Sequence, residues 1–271
     1  MRTLSLALCL VLAAAARAQE GFELGGAVGV GHYFGDLNTD FTFADPGPAA
    51  AVLARYNFSN RWSVRFGGAY TRVSGSDADS RNVFERARNL DFRSDVFDGA
   101  LGLEFNFLQY DHGSRDRFYT PYIFGGLLVS NFRPQAELRG EFVNLRDFGT
   151  EGQLPGEEYY TTALGIDYGI GMKLDLSFEW SLNFELHARQ LFTDYLDDVS
   201  GAYPDFEDLA NDRGPDAVLL SDPSILLPGV NTERLGLTPG RQRGNPSDND
   251  QYAVLQVGLF YYFGDLKCPE W

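Results

Sequence analysis

Seven of eight strand-length stretches of this chain alternate residue by residue between apolar side chains and small or polar ones. A period of two confines such segments to β-sheet with two unlike faces. In the first, Phe22, Leu24, Val28, Val30, His32 and Phe34 oppose Glu23, Gly25, Ala27, Gly29, Gly31 and Tyr33. A hairpin over 50–72 sets Val52, Ala54, Tyr56, Phe58, Trp62, Val64, Phe66 and Tyr70 against Arg55, Asn57, Ser63, Arg65, Gly67 and Thr71, around a short SNR turn. The fourth places Phe97, Leu101, Leu103, Phe105 and Phe107 against Asp98, Ala100, Gly102, Glu104 and Asn106. The fifth, FYTPYIFGGLLVSNF from Phe118 to Phe132, is apolar on both faces and its sides cannot be assigned. Residues 160–174, 180–192 and 251–263 restore the alternation, with Asp167, Lys173, Ser181, Glu185, His187 and Arg189 on polar faces.

The connections alternate in length. After strands two, four and six they are brief, near Asn60, Asp111 to Asp116, and Asp175 to Glu179. After strands one, three, five and seven they are long: Gly35 to Pro48, Gly75 to Asn89, Arg133 to Glu158, and Thr193 to Asp250. An even number of strands, short turns on one rim and long loops on the other predict an all-β fold, an eight-stranded antiparallel up-and-down transmembrane β-barrel, with short periplasmic turns and long extracellular loops. No stretch is apolar enough for a membrane helix, as expected where strands cross and alternate.

A soluble eight-stranded barrel of the lipocalin kind also alternates. Its polar face would meet water and carry many long charged side chains. Here that face is mostly Gly, Ala, Ser and Thr, with one to three charges per strand. Small residues with sparse, mixed charge suit the crowded inside of a narrow barrel, where Glu23, Arg55, Arg65, Asp98, Glu104, Asp167, Glu185, His187 and Arg189 are expected to form an interior polar network. The apolar face then meets lipid, with aromatics such as Phe22, Tyr56, Trp62, Tyr70, Trp180 and Phe263 at its interfaces.

Ahead of the first strand, a basic Arg2, an apolar run from Leu4 to Ala16 and the small-x-small triplet Ala16-Arg17-Ala18 read as a secretory signal over 1–18, cut between Ala18 and Gln19. A lipid anchor at Cys9 fails because Leu8 stands where a small residue is needed. The barrel is then expected over 19–263, including a long acidic loop at 193–250, with a periplasmic tail over 264–271. The chain holds 22 basic and 38 acidic residues, a net charge of −16; losing Arg2 and Arg17 leaves 20 against 38, or −18. That balance excludes nucleic acid as a partner and argues against docking on anionic head groups. Cys268 alone would remain, so no internal disulfide can form.

The pentapeptide Tyr-Phe-Gly-Asp-Leu occurs at Tyr33 to Leu37 and again at Tyr262 to Leu266. Each copy follows a strand, where Gly-Asp favours a turn, and in an up-and-down barrel the two lie on opposite rims.

Sites of chemistry are sparse. Asp194, Asp197 and Asp198 in the acidic loop are weak calcium candidates, since hard cations prefer carboxylate oxygens, but no stretch has the D-x-[DN]-x-[DN]-G spacing. Ser181, Glu185 and His187 share a strand face, the residue types of a hydrolase; spaced along one strand they do not make a triad. His32 and His112 stand near strand ends. No cofactor is expected, and eight strands leave no room for a pore.

The motifs YFGDLN, RYNFSNRW, NFLQYD, YTPYIFGG, RPQAELRG, FGTEGQ, FTDYLDDVSGAYPD and RGNPSDND together resemble the PorG-type outer-membrane barrels of the Bacteroidota, part of the type IX secretion and gliding machinery. The resemblance implies a non-enzymatic barrel that docks a periplasmic ring lipoprotein and associated subunits. The tail residues Asp265, Lys267, Cys268 and Trp271 are then candidate partner contacts. The alternatives are a stand-alone structural barrel or surface-ligand binder acting through its long loops and, third, an outer-membrane lipid hydrolase.

Overall fold

The computed structural model describes residues 21–39, 45–226 and 239–264. The expected cleavage point at Ala18 and Gln19 lies outside the described residues, as do Asp265, Lys267, Cys268 and Trp271.

The strands are β1 (Gly21–Phe34), β2 (Gly47–Asn57), β3 (Trp62–Ser76), β4 (Asp91–Asn106), β5 (Tyr119–Leu138), β6 (Glu141–Asn144), β7 (Thr162–Asp175), β8 (Trp180–Leu191) and β9 (Gln251–Phe263). Eight of them, all but β6, close a barrel in which each pairs antiparallel with its neighbours. The seam joins β1 to β9 from Phe22↔Phe263 to Phe34↔Gln251. At this seam Gly21 and Gly25 flank Glu23 on the inner face, and a Cβ on either would fall within about 2.5 Å of the Tyr262 and Phe260 rings respectively.

The outer face decides between a soluble and a membrane barrel. Val28, Phe66, Leu127, Ile170 and Leu255 are each 57–69 % exposed, and they lie on β1, β3, β5, β7 and β9 around the circumference. A monomer in water does not bare an apolar belt of this extent. The belt ends in aromatic pairs, Phe22 with Phe263, Trp62 with Phe105, and Trp180 with Tyr261. This is the architecture of an outer-membrane β-barrel.

β5 is apolar on both faces for two different reasons. Ile123, Leu127 and Val129 face lipid, whereas Tyr122, Phe124, Leu128 and Phe132 are buried. Leu128 and Phe132 join Tyr33, Val73, Phe92, Val96, Leu191 and Val254 in an apolar core that fills the long-loop end of the barrel. The small, polar interior expected along every strand therefore holds only below that core.

Arg133 to Leu138, expected to open a loop, instead continue β5. The chain reverses at Arg139 and Gly140, both at positive φ, and β6 pairs back from Leu138↔Glu141 to Gln135↔Asn144. Alternation persists here, with Ala136 buried and Glu137 exposed, so the segment retains a sheet face to bury. Three short helices, α1 (Val83–Arg88), α2 (Phe206–Arg213) and α3 (Pro215–Ser221), complete the long-loop rim. Asp205 caps α2 by accepting from the Glu207 and Asp208 amides, and Gly214 at φ 89° separates it from Pro215, the first residue of α3.

Candidate functional site

Inside the barrel the nine residues expected as an interior network are all buried. Arg55 is the hub: its guanidinium meets Glu23 at 3.3 Å, Glu104 at 3.0 Å and Glu185 at 2.6 Å, and it lies 4.3 Å from the centre of the Phe260 ring. Arg65 pairs with Glu185 at 3.2 Å and Glu104 at 3.5 Å, over the Phe124 ring. A second group joins Arg189 to Asp98 at 2.7 Å and to Asp167 at 3.4 Å, and Tyr252 donates to Asp98 at 2.8 Å. His187 bridges the two groups, with Nδ1 2.8 Å from Asp167 and Nε2 3.0 Å from Glu185.

The sequence left other members unrecognised. Lys173 pairs with Glu104, Gln256 donates to Glu185 at 2.7 Å, and Tyr122 donates to it at 2.5 Å. At the short-turn end His112 pairs with Glu23 at 3.2 Å and Asp175 at 3.1 Å and stacks 4.1 Å from Tyr262. These residues sit on inward positions of the alternation, but nothing in a single strand says which partner lies across the lumen.

The lumen is filled. The space beside Arg65, Asp98, Asp167, His187 and Arg189 is about 30 Å³, enough for about one water. His187 has both ring nitrogens committed to acids, and Ser181, six residues away, stands roughly 20 Å along the strand. Ser181, Glu185 and His187 are therefore not assembled as a nucleophile, acid and base.

On the opposite rim the long loops form a folded dome over the barrel mouth. Tyr33 Oη, at the end of β1, lies 2.6 Å from Asp197 Oδ2 and 2.8 Å from Asp250 Oδ1. A phenol has one proton to donate, so both contacts are hydrogen bonds only when one of the two carboxyls is protonated. Asp197 and Asp250 also accept the Val199 and Leu196 amides, each at 2.9 Å. Asp198 accepts from the Thr150 hydroxyl, from Tyr159 at 2.7 Å and from Arg243 at 3.4 Å. Glu151 accepts the Ser200 amide at 2.9 Å, the Gly201 amide at 3.0 Å and Arg243 at 3.1 Å. Arg88, at the end of α1, binds Asp77 and donates to the carbonyls of Asp36 and Arg243.

Burial in this dome pushes the Asp194 and Asp197 carboxyls up to about 8 and Asp198 up to about 6, and holds Asp250 well above the ordinary carboxylate range. The three calcium candidates do not converge: Asp197 faces Tyr33 whereas Asp198 faces Arg243 and Tyr159. Among the described residues no group of three or more His, Cys, Asp or Glu is disposed to hold a metal ion.

In solved structures the chain is similar to Neisserial surface protein A, at 11 % identity and a TM-score of 0.44 over 89 % of this chain and 97 % of that one. It is similar to the outer membrane protein OprG from Pseudomonas aeruginosa, at 13 % identity and 0.44 over 92 % and 98 %. It is also similar to Ail of Yersinia pestis, in complex with the heparin analogue sucrose octasulfate, at 12 % identity and 0.40 over 91 % and 100 %. No curated protein matches the chain. A family model matches residues 1–214, and on that match the chain belongs to the family described as Domain of unknown function (DUF6089).

Proposed function

We propose that this protein is a non-enzymatic outer-membrane scaffold, and that its place is in the type IX secretion machinery. One observation carries the scaffold reading: segments far apart in sequence spend their polar side chains on one another. Tyr33 and Asp36 of YFGDLN, Thr150 and Glu151 of FGTEGQ, Asp197, Asp198 and Ser200 of FTDYLDDVSGAYPD, and Arg243, Asn245 and Asp250 of RGNPSDND hydrogen-bond to one another across the dome, buried or half-buried. Four of the eight motifs that carry the resemblance to PorG-type barrels thus help to fold the dome. A filled lumen leaves recognition to the two rims, with no role for passage.

The secretion role rests on that resemblance. In it the short-turn rim and the tail with Asp265, Lys267, Cys268 and Trp271 face the periplasm and meet the ring lipoprotein and its associated subunits. A second reading, a stand-alone barrel acting at its loop side, is favoured by an open groove of about 500 Å³ in the dome, walled by Glu85, Arg88, Arg241, Asn245 and Asp248.

The test is purification of the tagged protein from native outer membranes in mild detergent, with mass spectrometry of co-purifying proteins, with and without reductant. Stoichiometric lipoprotein partners are expected; loss of them in reductant would implicate Cys268. A monomer that stays alone after cross-linking would remove the secretion reading and leave the stand-alone barrel.

A further inference from the structure

Just above the lipid belt, the outer wall over β4, β5 and β6 changes character within four residues. Outward positions on β5 run Val129, Asn131, Arg133; on β4 they run Phe97, Asp95, Arg93. Four residues are roughly 13 Å along a strand, which carries the wall from hydrocarbon into the headgroup layer. Tyr160, 87 % exposed beside this wall, and the Tyr70–Phe97 pair mark the interface on the same side of the barrel.

Most cations on this wall are committed. Arg72 binds Asp95 at 2.7 Å; Arg93 donates to Gln135 at 3.1 Å and lies 3.5 Å from the centre of the Phe142 ring. Arg133 differs, because its guanidinium has no hydrogen bond or ion pair among the described residues. It lines a notch of about 170 Å³ with Pro134, Asn144, Arg146, Asp147 and Thr161. Arg146 is held in place by its Nε donating to the Tyr159 carbonyl at 2.8 Å, and it reaches Glu158 only at 3.9 Å. The notch's one carboxylate, Asp147, accepts from Asn144 at 3.3 Å, and Glu158 is taken by Arg213 at 2.7 Å.

We propose that this notch binds the phosphate of a membrane-lipid headgroup in the leaflet on the long-loop side. Two guanidinium forks on one small cavity match the geometry of a phosphate, for which arginine is the preferred partner. Position selects a lipid over a dissolved anion. A headgroup seated between Arg133 and Arg146 lets its acyl chains descend over exposed Val129, Leu164 and Phe97, so apolar contact adds to charge. The chain's net charge of −16 would repel anions elsewhere, which makes the site local and specific.

Native mass spectrometry of the full-length refolded barrel tests this, with phosphatidic acid, phosphatidylcholine and inorganic phosphate as probes. Phosphatidic acid is expected to give the higher occupancy. Arg133→Ala should lower that occupancy roughly tenfold, as loss of a charge-assisted hydrogen-bond pair implies. Arg117→Ala on the opposite rim should leave it unchanged. Folding is read independently from the gel mobility of unheated samples, and Arg133→Gln serves if the alanine variant does not fold. Equal occupancy by the two lipids, or equal occupancy in the wild type and the folded variant, overturns the proposal. Displacement of phosphatidic acid by equimolar inorganic phosphate overturns the lipid source, since the notch would then hold a free phosphate.

Discussion

Arg55 makes ion pairs with three glutamates from a position that is completely buried, so its removal takes the shared counter-charge from Glu23, Glu104 and Glu185 and leaves them to Arg65, Lys173 and the two histidines. Breaking such a cluster from one side costs about 3–5 kcal/mol. Arg55→Ala should lower the urea midpoint of the barrel refolded in lipid vesicles accordingly. A change within ±0.5 kcal/mol would mean that Arg65 and Lys173 compensate. The repeated Tyr-Phe-Gly-Asp also finds its explanation at this scale. In both copies the tyrosine points in and is buried, Tyr33 against the dome acids and Tyr262 against His112, while Phe34 and Phe263 take the outward positions. One short phrase closes the lumen at one rim and then at the other.

Among the elements, the barrel strands and the dome answer to different variables. Asp194, Asp197 and Asp198 have carboxyl pKa values raised by burial, facing Tyr33, Asp36, Glu151 and Arg243. A raised folded-state value means that their contribution to dome stability is complete below about pH 4 and is lost as pH rises through 6 to 8. Hydrogen exchange at the Leu196 and Val199 amides, corrected for the intrinsic rate, should therefore accelerate between pH 5 and pH 9. The strand amides of the barrel should not change over that interval. Flat protection at Leu196 and Val199 would show that Arg243 outweighs the carboxylate repulsion. The strands other than β5 were legible because lipid on one side and a narrow lumen on the other impose a strict alternation on each of them separately, whereas β5 buries Tyr122, Phe124, Leu128 and Phe132 on its inner face. The dome was not legible. Its contacts, such as Tyr33 with Asp250 or Thr150 with Asp198, join residues with no shared periodicity, and its acids read as surface charge until burial is known. The extension of β5 was hidden for a related reason: Arg133, Gln135 and Glu137 look like loop residues, yet they are the outer face of a strand that has left the membrane.

As a whole molecule the protein is a closed wall around a solid interior. Reconstituted in planar bilayers it should give no unitary current steps, since the side chains of Arg55, Tyr122, Lys173 and Phe260 are buried across its lumen. Discrete steps would require this plug to move. The wall is completed where the first strand meets the last, and there the inner face of β1 offers Gly21 and Gly25 as two vacant places under Tyr262 and Phe260. Gly25→Val should block assembly of the heat-resistant folded form, because the side chain would overlap the Phe260 ring. Gly26→Val, two residues from lipid contacts on either side and open at its Cβ position, should be tolerated. Ladder hydrogen bonds are the same for any antiparallel stagger of two strands, so they cannot tell β9 where to stop. Shape can: a shift of two residues drives Phe260 onto Glu23 or Ala27. When the ends of this chain find each other in the bilayer, a pair of rings settling over a pair of glycines is the catch that lets the cylinder shut in one alignment and no other.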